Sequence, residues 1–230
     1  MNEPSPELCV VVADADADRL MRALLQRAID SGCLRRFAWV VIRDPMKDSA
    51  VWREPTRALA PYLGVSGRRL LVIWDHEGSG REDDDPADVE SDVIVRLTQA
   101  GAGPSDISAI ALLPEVEAVF EHTWERVVTL IAETRGRAAP SDADVLRRAG
   151  VKLRDGEDAA EAARQYSARR PKEYLQAVLK LAGLKHEPSL FEDLGRRLSV
   201  PALKRGEASG RIAAVLVRWF GAQERQPCGE

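Results

Sequence analysis

Four short runs constrain this chain more than anything else in it: LCVVVA (8–13), FAWVVI (37–42), LLVIW (70–74) and ISAIALL (107–113). Each is apolar at almost every position. A strand with one wet face alternates apolar and polar residues, whereas a strand covered on both faces does not. Val and Ile dominate the runs, and β-branched side chains pack well on a pleated surface. Helical patterns separate them. In DADRLMRALLQRAID (16–30) the residues Leu20, Ala23, Leu24 and Ala28 share a face, and Gly32 ends the segment. EPTRALAPYL (54–63) reads as a shorter helix interrupted by proline. In residues 86–100, Val89, Val93 and Leu97 fall on the inner face, with Pro86 in the first turn and Gly101 at the end. Strand and helix in alternation predict an α/β fold, a parallel sheet of about four strands with helical crossovers.

After Pro114 the pattern turns helical. Residues 114–133 read as one long helix, and TRGRAAPSD (134–142) reads as a linker or surface loop. Further helices are expected at 141–149, 157–168, from Pro171, at 189–198 and at 211–220. The chain of 230 residues therefore divides into an α/β part, 1–133, and a helical part, 141–226, either separate or packed as one unit. The formal net charge of -4 hides an asymmetry: residues 133–230 carry 19 Lys/Arg against 14 Asp/Glu, and residues 1–132 carry 14 against 23. That distribution suits an acidic site beside a surface for an anionic partner, and it also arises from ordinary solvated helices.

Ligands of open parallel sheets bind outside the carboxyl ends of the strands. Every predicted strand here delivers acid to that edge: Asp14 and Asp16 after the first, Asp44 after the second, Asp75 and Glu77 after the third, Glu115 and Glu117 after the fourth. Carboxylates gathered at one edge raise each other's pKa, and a divalent cation removes that repulsion. An all-oxygen set suits Mg²⁺ or Mn²⁺. Asp is also a good helix N-cap, and that reading is preferred for Asp18 and Asp44. In WDHEGSG (74–80) two acids stand i, i+2 beyond a buried strand, and Gly78, Ser79 and Gly80 offer backbone N–H groups to a phosphate.

Other motifs are sparse. His76 is expected to face away from Asp75 and Glu77, His122 to share a helix face with Glu115 two turns away, and His186 to lie in a loop without a signal. There is no G-x-S-x-G, no P-loop and no G-x-G-x-x-G, which makes hydrolase-triad, P-loop NTPase and dinucleotide readings poor. Cys9, Cys33 and Cys228 form no C-x-x-C pair, so neither structural zinc nor a disulfide framework is expected. The acidic MNEPSPE start does not read as a secretory signal and no apolar run reaches bilayer length, so a cytoplasmic protein is expected.

An acid after the first strand and D-x-E after the third resemble the Toprim arrangement, a metal-binding domain of topoisomerases, primases and OLD-family nucleases. VVADADADRLMRALLQR, LLVIWDHEGSGRE, IALLPEVEAVF and RPKEYLQAVLKLAG together resemble small Toprim-like proteins associated with prokaryotic methylation-associated anti-phage defence. The D-x-E-G-x-G-x-E block at 75–82 is the most specific piece. The resemblance implies a Mg²⁺- or Mn²⁺-binding site at Asp14, Asp16, Asp75 and Glu77, with Glu115 and Glu117 nearby. Asp14 and Glu77 would be catalytic. One departure stands out: Asp14 is a methylene shorter than the glutamate usual at that place.

Two functions of different class follow. One is a metal-dependent nuclease cleaving phosphodiester bonds in DNA or RNA, with Arg169, Arg170 and Lys172, and Arg147 and Arg148 earlier in the chain, contacting phosphates. The other is a non-catalytic interaction subunit of a multi-protein defence complex with a vestigial acidic pocket, which the net negative charge and 5% aromatic content favour. A small-molecule phosphatase or nucleotide-processing enzyme is a third reading of the same pocket.

Overall fold

The computed structural model describes residues 5–46 and 48–222; Cys228 lies outside them. Four strands, β1 (Leu8–Val12), β2 (Trp39–Arg43), β3 (Arg69–Asp75) and β4 (Ile107–Leu112), form one parallel sheet in the order β2-β1-β3-β4. The continuous apolar runs are explained by burial on both faces. Leu8, Val10 and Val12 of β1, with Leu71 and Ile73 of β3, enter one apolar cluster; Cys9 and Val11, with Leu70, Val72 and Trp74, enter another on the opposite face. Burial pushes the Cys9 thiol up to about 12.

The helix α1 (Ala15–Asp30) covers the first face. The second is covered by α2 (Asp48–Arg53), α3 (Pro55–Leu59) and α4 (Pro86–Gln99), where Val89, Val93 and Leu97 are buried as their spacing predicts. Two details differ from the sequence reading. The segment 54–63 is α3 followed by a 3₁₀ turn at 60–62, and α2 precedes it.

Residues 114–133 are not one α-helix. They form a 3₁₀ helix, Val116–Thr123, that becomes α5 (Trp124–Glu133). Buried residues first recur at a step of three, Val116 to Val119 and Glu117 to Phe120, which a 3₁₀ helix stacks, and then at a step of four, to Thr123 and Trp124, where the α-helix takes over. Thr123 ends it, its hydroxyl donating to the Phe120 carbonyl at 3.0 Å.

The helical half comprises α6 (Asp142–Arg148), α7 (Ala159–Arg169), α8 (Pro171–Ala182), α9 (Pro188–Arg197), α10 (Val200–Leu203) and α11 (Glu207–Phe220). Of these, α10 has no counterpart in the sequence reading. Apolar residues of these helices share the cluster that holds Leu8, Val10 and Val12. The few aromatic side chains are concentrated there: Phe120 packs on Trp124 at 5.7 Å and on Phe191 at 5.8 Å, and Trp124 on Tyr174 at 5.0 Å. The approach of α9 to α1 depends on Gly195, where a Cβ would stand 2.7 Å from Ala23 Cβ and 3.3 Å from Leu20 Cδ1.

Both borders of the sheet carry side-chain caps. On β2, Arg22 donates to the Val41 carbonyl at 2.6 Å and is held by Asp18 at 2.8 Å. On β4, Glu90 accepts from Ala111 N–H at 2.8 Å, and Arg211 binds Glu90 at 2.6 Å and reaches the Ala111 carbonyl at 3.3 Å. Among the described residues no helix is long and apolar enough to cross a membrane.

Candidate functional site

From β1 the chain leaves by α1 on one face to reach β2; from β3 it leaves by α4 on the other face to reach β4. The crevice between β1 and β3 is therefore the point where the connections diverge, the usual ligand position in such sheets. Val12, the last residue of β1, pairs with Ile73, so Asp14 and Asp75, the last residue of β3, each come two residues after that pair at the carboxyl ends of adjacent strands. The β3–β4 ladder also runs on past the strands. His76 N–H bonds the Leu112 carbonyl at 2.9 Å and Glu77 N–H the Pro114 carbonyl at 3.1 Å, which brings Glu77 beside Glu115.

The acids at this edge have different environments. Asp14 caps α1, accepting from Ala17 N–H at 2.8 Å; burial, with Asp16 beside it, raises its carboxyl above the usual range. Glu115 and Glu117 are buried, and Glu77 is exposed at the mouth. Glu117 is only 2% exposed, and burial pushes its carboxyl up to about 7, with Glu115 adding to the rise and Lys172 and His186 opposing it.

Two basic side chains enter this crevice from the helical half. Lys172, in the first turn of α8, pairs with Glu115, and its ammonium also feels Glu117 and Asp75 and acts on Asp14. Burial works against its charge, yet the surrounding carboxylates win and its pKa rises. His186, between α8 and α9, contacts Asp16 at 2.8 Å through Nε2 and stacks on Phe191 at 5.5 Å. The Asp16 contact raises its pKa against the effect of burial.

The oxygen chemistry of the acids suits Mg²⁺ or Mn²⁺, but their packing does not present a ready cage. Among the described residues no group of three or more His, Cys, Asp or Glu is arranged to hold a metal ion. Glu115 and Asp16 are turned to Lys172 and His186, and Lys172, joined by His186 when its ring is protonated, supplies compensating charge.

Other candidates are used elsewhere. Neither Asp18 nor Asp44 is the helix N-cap the sequence suggested: Asp18 lies inside α1, whose N-cap is Asp14, and holds Arg22, and Asp44 binds Arg57 at 2.8 and 3.1 Å and accepts from Met46 N–H at 2.8 Å, so both are structural acids. The phosphate cradle expected at Gly78–Gly80 is occupied from within. Glu82 accepts from Gly80 N–H at 3.0 Å, which holds its carboxyl low, Ser79 N–H turns back to the His76 carbonyl at 3.3 Å, and Trp52 donates to the Ser79 carbonyl at 2.9 Å. Gly78 and Gly80 have φ of 80°, which only glycine adopts without strain. Of the three expected phosphate contacts, Lys172 faces the acids, Arg170 reaches Glu173 at 3.4 Å, and Arg169 is exposed. His76 is buried and His122 is exposed.

The sequence reading passed over His186, whose partner lies 170 positions away. Lys172 left a trace, because a lysine in a helix's first turn opposes the helix dipole and requires nearby acids.

Comparison with known proteins adds little to this geometry. No family profile and no curated protein matches the chain. Among solved structures, the C-terminal region of the Xanthomonas campestris pv. campestris OLD protein is similar over 93% of this chain and 95% of that one, with 12% identity and a TM-score of 0.40. A likeness of that size says nothing about chemistry.

Proposed function

We propose that the chain is a Toprim-like nuclease component of a prokaryotic anti-phage defence system, acting on nucleic-acid phosphodiesters at the β1–β3 crevice. The observation that carries the reading is the gathering of acids at three adjacent strand ends, Asp14, Asp75, Glu115 and Glu117, with Lys172 paired to Glu115 among them. A site that gathers so much negative charge is built around a cation. Asp14, Asp75 and Glu77 are the residues that would hold Mg²⁺ or Mn²⁺, which would draw charge from a phosphate when bound. The helical half closes the pocket through Lys172 and His186. Other defence proteins are the expected partners.

A second reading, a non-catalytic subunit of a defence complex, is favoured by the same two side chains: a pocket whose acids are held by its own lysine and histidine keeps its shape without a metal. One experiment separates them. Labelled plasmid, single-stranded DNA and RNA are incubated with the wild type and with Asp75→Ala/Glu77→Ala, in Mn²⁺ or EDTA. The nuclease reading expects cleavage that needs Mn²⁺ and disappears in the variant. Cleavage equal in both proteins is contamination. Absence of cleavage, together with a melting temperature that Mn²⁺ does not raise, leaves the non-catalytic reading in place.

A further inference from the structure

An open cleft of about 610 Å³ lies at the same edge of the sheet, and its walls include Asp14, Asp16, Arg43, Pro45, His186 and Pro188. That volume falls within the range of small-ligand sites, roughly 300–1,000 Å³. Its charges are mostly taken. His186 is bound to Asp16, and the buried Asp44 next to Arg43 is committed to Arg57 and to Met46 N–H. Arg43 is different. It is the last residue of β2, paired in register with Val12 two residues before Asp14, and its side chain is exposed. Among the described residues no carboxylate pairs with it, although acids line the same cleft.

An arginine held at a strand end without a carboxylate partner, facing a cleft with acids on the opposite wall, offers a planar fork to an anion that brings its own oxygens. The geometry points to Arg43 as the residue that grips one phosphate of a single-stranded nucleic acid, with Pro45 and Pro188 as apolar walls for the adjoining sugar and base. This rests on the nuclease reading and names its substrate form. A duplex is disfavoured by the charge distribution. The acids of the crevice repel a dense row of phosphates, and the N-terminal half, with 14 Lys/Arg against 23 Asp/Glu over residues 1–132, offers no basic track for a second strand. A single grip at one cation is what this charge pattern tolerates. It also replaces the Arg169, Arg170 and Lys172 surface, whose lysine is turned inward to Glu115.

The test uses fluorescence anisotropy with short labelled oligothymidine, oligouridine and a duplex of the same length, in Ca²⁺ so that strands stay intact. The proteins are wild type, Arg43→Ala, Arg43→Lys and the control Arg36→Ala, each checked by its melting curve. Arg43→Ala is expected to weaken single-strand binding roughly tenfold, the effect of one charge-assisted contact. It should also lower the salt slope by about 0.7, the value for one phosphate on a single strand. Arg43→Lys should recover the slope but only part of the affinity, because it keeps charge and loses the fork. The DNA and RNA arms show which backbone is preferred. The inference is overturned if Arg43→Ala matches wild type in affinity and slope, if wild type binds neither single strand, or if the duplex binds more tightly than both. A parallel Mn²⁺ titration by calorimetry, with Asp14→Asn as control, judges the metal reading separately: Mn²⁺ bound by wild type with Arg43 inert leaves that reading standing alone.

Discussion

Glu117 offers the sharpest physical test of the crevice. Its carboxyl is displaced from the ordinary 4.5 to about 7, with burial as the main cause. Below about pH 4.5 the group is protonated in both the folded and unfolded chain, so it contributes no pH dependence. Between there and about pH 7 the unfolded chain releases a proton that the folded chain keeps, and stability falls as pH rises. Above that the full penalty is present. At about 1.4 kcal/mol per pH unit, the displacement amounts to about 3 kcal/mol. Glu117→Gln removes the ionisation and keeps the shape. In urea melts with EDTA present, the variant is expected to match wild type near pH 4.5 and to exceed it by about 3 kcal/mol near pH 8. In thermal melts the same gain is roughly 6–12 °C for a chain of this size. A variant less stable than wild type at pH 8 would refute the reasoning, because it would mean that Glu117 is ionised and held favourably by Lys172 and His186. An offset independent of pH would refute it equally.

Other outcomes follow from single contacts. His186→Ala should destabilise the fold below about pH 6.5, where the protonated ring is held by Asp16, and the difference should shrink as pH rises through the raised value of the native histidine; melts across that range check it. Gly195→Ala should cost about 1–3 kcal/mol by forcing α9 from α1, and adding Ala23→Gly should restore much of the loss, which a double-mutant cycle in urea measures. Asp44→Ala should cost about 1–3 kcal/mol by leaving Met46 N–H without its acceptor, while Arg57 keeps Glu54, and Arg57→Ala should cost at least as much, since it leaves the buried Asp44 carboxylate with Met46 N–H alone; urea melts of both variants check the order.

The strands were legible because burial on both faces writes itself as continuous apolar sequence, and LLVIW could hardly pack otherwise. The helices α1 and α4 were legible for a similar reason: Leu20 and Val93 sit where a 3.6-residue period requires. Residues 116–123 misled because pairs such as Val116 and Val119 satisfy both a three-residue and a 3.6-residue step over so short a span. At the crevice, Asp14 and Asp75 were within reach of sequence reasoning, since each directly follows or ends an apolar run. His186 was not. Its position depends on how α9 settles against α1 through Gly195, and nothing in the local sequence around Lys185 and Glu187 encodes that distant docking. Glu82 was likewise hidden, because a charge run reads as solvated until the loop it folds back on is known.

The guanidinium of Arg22 on one rim and the Glu90–Arg211 couple on the other have a consequence for assembly. A visiting peptide that sought to lengthen the sheet would have to evict a charged group from a backbone carbonyl or amide at either flank before gaining its first ladder bond. Recruitment of another protein by strand addition is therefore disfavoured on both sides, and companions of this molecule are left to meet it through helical surfaces or at the open carboxyl end.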